Sequence, residues 1–487
     1  MVQFAMDGPH LPPLEMFTFF VPLSLQCLFL HPAFSETASR LARLALMPCS
    51  IYLAATAPWN YAIEPRDQAI GVNFVFGIMG GYGVWKAIEW GLAEDLTPYA
   101  WVGFDGQGRK EDGKPDHGGA ANAVAKNGSA SSDDANETRK AQHQKHVELR
   151  KVYLRGVRKR QAAQDSTWDV VKSTLHLLYS MRGNGYEFGT TTTRPFAREP
   201  KPFLRRLMLE MAWSHPLLVL CSATLLEPPQ SRDAYISSVL PTMTAERAHL
   251  VGEIATGAAL GTAVFAALTL GFSLATLGVF LPNVVLRNLP LPDSVKPPPF
   301  DSREYPPLFD LSRPPSSVAV FWSKQWHSFF SRPFRFLGYD PARRLLGPKV
   351  GKAVGTLAVF ALSSWIHEYG LATSISTLPP PAKPYSFFLR WGGSIYFMSQ
   401  GVAIVLEGLS TALTGKKTGG PLGFVWSFAV VAVTGGALYK AWTTQGLLRE
   451  VPPVRYWGWQ RFLLPMACLQ PPPLWMNSYP RSYDRPL

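Results

Sequence analysis

Long apolar runs alternate with short polar connections along this chain, and the runs have the size of membrane helices rather than the narrower stripes of a soluble bundle. A spanning helix needs about 20 mostly apolar residues to cross a hydrocarbon core of ~30 Å. Leu11–Leu30, Leu41–Trp59 and Ala69–Leu92 reach that length in close succession. Leu204–Leu226, Val350–Thr373, Phe387–Ser410 and Leu422–Tyr439 follow. Val251–Leu289 is longer than one crossing requires. As a single helix it would measure roughly 58 Å at 1.5 Å per residue, so it either projects from the bilayer as one tilted helix or turns back on itself. Tyr456–Leu469 is aromatic-rich but short, and is expected at the interface. The pattern predicts an all-α, polytopic membrane helix bundle of about eight or nine spans.

Between the third and fourth runs the composition changes. Asp105–Lys145 is rich in Gly, Ala, Ser, Asn, Asp and Lys, with too little apolar surface to pack, and is expected to be disordered. Its His143 and His146 read as solvated side chains. Lys151–Gln161 is a basic run suited to anionic headgroups. Helical periodicity returns over Trp168–Phe188 through Val171, Leu175, Leu178 and Met181, then breaks at Arg182-Gly183-Asn184-Gly185-Tyr186. That reads as an interfacial amphipathic helix ending in a glycine turn. The chain thus divides into an N-terminal three-span segment (1–92), a long, partly disordered cytosolic loop (93–203) and a membrane core (204–487). Within the third run, Gly77 and Gly81 are spaced to let a neighbouring helix approach closely.

Composition sharpens this reading. The chain has 487 residues, 47% hydrophobic and only 17% charged, where a soluble domain carries about 25%. The formal charge of +13 fits basic cytoplasmic loops of a multi-pass protein, and no basic–aromatic module suggests nucleic acid. If the Arg40–Arg43 loop is cytosolic, a single crossing by Val251–Leu289 puts the basic segments Pro290–Lys349 and Lys416–Lys417 on the same side; the tail Arg449–Arg461 fits less well. Met16–Leu30 has no basic region before it and reads as a retained helix rather than a cleaved signal. Cys27, Cys49, Cys221 and Cys468 show neither disulfide nor zinc spacing.

The chemistry gathers in two places. Ala358–Gly370, AVFALSSWIHEYG, sets His367 inside an apolar run. Such a histidine faces the bundle interior or a cavity more readily than lipid, and a neutral imidazole can take a proton from an alcohol near pH 7. The plain alternative is a buried histidine bonded to a neighbouring helix. On a helix, Ser363 and Ser364 share the face of His367, while Glu368 points about 100° away, too far round to bond the ring. Upstream, Phe321–Ser328 reads FWSKQWHS. Phe321, Trp322 and Trp326 would anchor a short helix at the membrane–water boundary, with His327 one turn beyond Lys324. Arg332, Arg335, Arg343, Arg344, Lys349 and Lys352 form a basic collar suited to a phosphate-rich co-substrate, although ordinary positive-inside charge explains the same residues.

Together, the F-W-x-x-x-W-H segment, the basic stretch and the apolar helix with S-x-x-x-H-E resemble the wax-synthase branch of the membrane-bound O-acyltransferase superfamily. Fungal enzymes that acylate alcohols in terpenoid and polyketide pathways are the nearest likeness within it. Arg182-Gly183-Asn184-Gly185-Tyr186 resembles the branch's Arg-Gly-x-Gly-aromatic element, and Pro306-Pro307-Leu308-Phe309 its proline-led segment. Ser323 and Lys324 depart from the Gly-Arg common there, and Trp365 from a small residue. The resemblance implies an acyltransferase with His367 and His327 as catalytic residues. Acyl-CoA, with acetyl-CoA expected, would be the co-substrate, and a lipophilic alcohol, a terpenoid or polyketide, the acceptor. No tightly bound cofactor and no metal are expected. Candidate substrate-binding residues are Trp322, Lys324, Trp326, Arg335, Ser363 and Glu368, with Lys324 and Arg335 assigned to CoA phosphates. Membrane lipids are the expected surroundings and the endoplasmic reticulum the expected location. Long-chain wax or sterol ester synthesis is the alternative reaction. A multi-pass transporter is the alternative class, but it would spread charge over several helices and often repeat its halves.

Overall fold

The computed structural model describes residues 14–64, 69–104, 132–189, 199–292, 296–310, 312–376, 378, 380–449 and 451. Among them the chain is helical, with no strand beyond an isolated bridge between Trp101 and Tyr186. The principal helices are α1 (Phe20–Leu28), α2 (Glu36–Asn60), α3 (Ile70–Leu92), α4 (Ser132–Gln164), α5 (Thr167–Tyr179), α6 (Pro200–Leu225), α7 (Pro229–Val239), α8 (Ala245–Asn288), α9 (Asp340–Ser374), α10 (Gly392–Thr414) and α11 (Gly420–Thr444).

Six described helices are long and apolar enough to cross a membrane: α2, α6, α8, α10, α11 and the stretch Ser331–Ser374 that ends in α9. Among the described residues the expected count of eight or nine is therefore not confirmed. Leu11–Leu30 yields only a short apolar helix over Leu14–Leu28. α3 forms as expected over Ile70–Leu92 and carries the buried Lys86–Glu89 pair, but it is not among the six. Val251–Leu289 does not turn back. All of it but the capping Leu289 lies within one helix of 44 residues, Ala245–Asn288, that continues through Pro282.

Two close crossings organise the bundle. α3 packs against α2 and α9, and α8 packs against α6 and α11. A Cβ at Gly77 would lie 2.7 Å from Gly370 Cα, and one at Gly81 would lie 3.0 Å from Ile366. The glycine spacing in α3 thus seats that helix on α9 beside His367, the close helix approach small residues permit. The second crossing places Gly257 of α8 against Ala432 and Gly436 of α11.

The polar segment departs from expectation at one end. Residues 105–131 and Tyr456–Leu469 lie outside the described residues, but the tract expected to be disordered through Lys145 is helical from Ser132. Tertiary contact explains this: Leu154 is buried, Arg158 turns inward to donate to the Leu30 carbonyl (2.7 Å), and Arg150 pairs with Glu187 (2.7 Å). Packing of one helix face, rather than composition, decides marginal helices. The amphipathic helix is found as α5, opened by a Ser166–Asp169 capping box and packed on α1. Its glycine turn follows, with φ of +66° at Gly183 and +84° at Gly185, values that glycine adopts without Cβ strain.

Candidate active site

α9 carries His367 a turn before the Gly370 crossing with α3, so its ring enters the interior among three helices. Phe397 of α10 stacks on it at 4.4 Å between centroids, Trp442 of α11 lies parallel at 6.0 Å, and Phe74 of α3 closes a third side at 6.5 Å. His367 Nδ1 lies 2.7 Å from the backbone carbonyl of Ser363. A carbonyl only accepts, so Nδ1 must carry the proton. The neutral ring therefore holds its lone pair on Nε2. Among the described residues no hydrogen bond to that atom is seen, and His367 is half-buried.

The i−4 relation expected of Ser363 is present, but through its carbonyl rather than its hydroxyl. Ser364 turns to Ser394 of α10, Oγ to Oγ at 2.9 Å. Glu368 points away from the ring, as its helical position requires. Its Oε1 accepts the backbone N–H of Ser394 (2.9 Å), and Oε2 lies 3.7 Å from Arg390. The carboxylate thus caps the first turn of α10, where backbone donors lack intrahelical partners.

His327 reaches the interior by a different device. A short helical turn over Val318–Val320 widens into a π-helical turn over Phe321–Gln325. Buried Glu407 of α10 holds its start by accepting the N–H groups of Val318 (2.7 Å) and Ala319 (3.1 Å). Trp322 donates its indole N–H to Gln400 of α10 (3.2 Å), which in turn donates to Thr434 of α11 (2.9 Å). At Trp326 the chain leaves the helix with φ −78° and ψ 159°. His327 therefore does not share a helix with Lys324, as the i+3 reading expected; the wide turn ends at Gln325, two residues before it. Its ring lies among Phe309 (6.0 Å), Trp326 (5.3 Å), Phe329 (4.9 Å) and Phe330 (6.1 Å), with Nδ1 buried and unbonded. Burial, then the nearby His367 and Arg182, pulls its pKa down to about 3, so the ring is neutral at physiological pH.

Arg182 draws the sequence motifs into one place. It donates to the carbonyls of Pro306 (2.7 Å) and Pro307 (3.0 Å) and lies 3.4 Å from Ser328 Oγ, next to His327. Asn184 adds a bond to the Glu304 carbonyl (2.7 Å). The glycine turn therefore clamps the proline-led segment, and Phe309 at its end meets both Trp326 and His327.

The remaining site expectations divide. Trp322 and Trp326 line the His327 aromatic cluster, with Trp322 tied into the α10–α11 contact. Lys324 is exposed, as is Arg335, which lies 3.9 Å from Asp340. Arg332, expected in a basic collar, is instead committed to buried Glu89 (3.2 Å). A cavity of about 360 Å³ lies among α1, α4, α5 and the glycine turn, lined by residues such as His31, Tyr99, Arg158 and His176; neither His327 nor His367 lines it. Sequence reasoning did not anticipate Phe74, Phe397, Trp442, Gln400 or Glu407 at the site. Only Glu407, an acid within an apolar run, carried a local signal.

Residues 305–389 match the model of the Membrane bound O-acyl transferase family, a stretch that contains both histidines, the aromatic segment and Glu368. No curated protein and no solved structure matches the chain. The match supports an O-acyltransferase of this family, and the apolar helices fit an integral membrane protein.

Proposed function

We propose that the protein transfers an acyl group from acyl-CoA to the hydroxyl of a hydrophobic alcohol, with His367 Nε2 as the general base. The observation that carries this reading is the bond between His367 Nδ1–H and the Ser363 carbonyl, which leaves a lone pair on Nε2 of an interior, neutral ring. In the reaction His367 Nε2 takes the hydroxyl proton as the alcohol oxygen attacks the thioester carbonyl carbon. The C–O bond forms, the C–S bond breaks, and the imidazolium returns its proton to the departing CoA thiolate. His327, as the Nε2–H tautomer, donates to the carbonyl oxygen as negative charge develops there. That tautomer leaves Nδ1 as an unbonded acceptor among aromatic rings, in keeping with its lack of a partner. Phe74, Phe397 and Trp442 restrict water around the base, and a site with less water strengthens both steps.

Acetyl is the expected acyl group, a terpenoid or polyketide alcohol the expected acceptor and the endoplasmic reticulum the expected membrane. These finer assignments rest on the motif resemblance. Membranes containing the protein, given labelled acetyl-CoA or palmitoyl-CoA with a panel of lipophilic alcohols, test the reading. Ester formation from acetyl-CoA supports it in full. Ester formation from palmitoyl-CoA alone would replace it with wax or sterol ester synthesis. No ester from either donor, with CoA unreleased, would overturn acyl transfer.

A further inference from the structure

α3 lies outside the family-matched stretch, yet its C-terminal half reaches the loop that carries His327. Glu89 is fully buried and gathers three partners. Lys86 Nζ donates to one carboxylate oxygen at 3.0 Å, while the Tyr99 hydroxyl (2.6 Å) and Arg332 Nε (3.2 Å) donate to the other. Arg332 follows His327 by a few residues, in the short helix Ser331–Phe334, and lies over the rings of Tyr99 and Phe336. Aromatic contacts run parallel to the ion pair. Trp85 of α3 meets Phe330 (5.9 Å) and Phe334 (5.4 Å), and Phe330 meets the His327 ring (6.1 Å).

A buried ion pair is weak evidence for stability, because desolvation offsets much of the attraction. Its directional effect is clearer. One carboxylate serves two cations, so Glu89 is the only partner that fixes Arg332 relative to α3 by charge, while Lys86 keeps a share of the same carboxylate and lies near the faces of Tyr82, Trp90 and Phe188. We infer that Glu89, acting through Arg332, is a positioning residue for His327, locking the 327–334 segment to α3 so that the His327 ring faces the reacting thioester. This rests on the acyl-transfer reading above. It makes the N-terminal helices part of the working site.

Removing Glu89 would leave two buried cations without a carboxylate, so Glu89→Gln is open to folding failure. Removing Arg332 leaves Lys86 and Glu89 balanced, and Arg332→Gln therefore carries the test, with Arg332→Lys as the conservative variant. Two quantities are measured on the full chain in membranes. One is the rate at which diethyl pyrocarbonate modifies His327, read by peptide mass spectrometry. The other is the pair kcat and acyl-CoA KM. Arg332→Gln is expected to raise His327 modification several-fold and lower kcat by about tenfold, in line with the cost of misplacing a reacting group, while KM stays within about twofold. Arg332→Lys should recover part of both. Normal membrane insertion with unchanged His327 modification and unchanged kcat would overturn the inference. If the wild-type protein forms no ester, the acyl-transfer reading fails, and the modification rate still decides whether Glu89 and Arg332 hold the loop.

Discussion

Glu368 neighbours His367 in sequence, but its geometry assigns it to the architecture of α10 rather than to substrate. Its Oε1 accepts the Ser394 N–H in the first turn of that helix, and Arg390 stands 3.7 Å from Oε2. A hydrogen bond to a charged group contributes about 1.5–3 kcal/mol. Charge at a helix N-terminus adds about 0.3–1 kcal/mol. The Arg390 pair, with the arginine side chain 44% exposed, adds no more than about 1 kcal/mol. Glu368→Gln keeps an acceptor but loses the charge, so it should cost about 1 kcal/mol; Glu368→Ala loses both and should cost about 2–3 kcal/mol. The melting temperature of the detergent-solubilised protein should therefore fall in the order wild type, Gln, Ala. Acyl-CoA KM of the folded Gln variant should stay within about twofold. An unchanged melting temperature with a large rise in KM would refute the capping assignment and return Glu368 to substrate.

Other consequences follow from the same geometry. Because the folded state holds His327 neutral, with its pKa pulled down to about 3, the unfolded chain binds more protons between that value and the ordinary imidazole pKa of about 6.5. His327 should thus lower stability as pH falls through that window, and His327→Gln should flatten the difference in melting temperature between pH 7.5 and pH 5; an equal slope would contradict this. Arg182→Lys cannot reproduce the fork onto Pro306 and Pro307, so protease cleavage near residues 304–309 should accelerate in the folded variant, and an unchanged digestion rate would count against the clamp. A Cβ at Gly257 would overlap Ala432 O and lie 2.5 Å from Gly436 N, whereas one at Gly278 meets nothing within 4 Å. Gly257→Ala should reduce the yield of monodisperse protein and Gly278→Ala should not; equal yields would contradict the α8–α11 crossing.

Local pattern made part of this legible and distance along the chain hid the rest. The apolar run around His367 and the glycine pair of α3 could be read separately, and the structure joins them because Gly77 and Gly81 pack on Gly370 and Ile366. The glycine turn after α5 was legible from residue type, since only glycine takes positive φ at low cost. What Arg182 binds was not, as its acceptors are backbone carbonyls more than a hundred residues away. Arg332 looked like one of several cytosolic cations because nothing near it in sequence announces Glu89. Lys324 seemed to share a helix with His327 because periodicity cannot register a wide turn that ends at Gln325. The polar tract from Ser132 folds because one face of its helix docks on the Thr97–Tyr99 turn, the Leu30 carbonyl and Glu187, and composition alone carries no trace of that docking surface.

The central claim is that His367 Nε2 takes the hydroxyl proton during ester formation. Single-turnover acyl transfer by His367→Ala, in protein whose membrane insertion and melting temperature match the wild type, addresses it most directly. A general base supplies about 10²–10⁴-fold, so the rate should fall to less than about a hundredth. A wild-type rate in that variant would contradict the account.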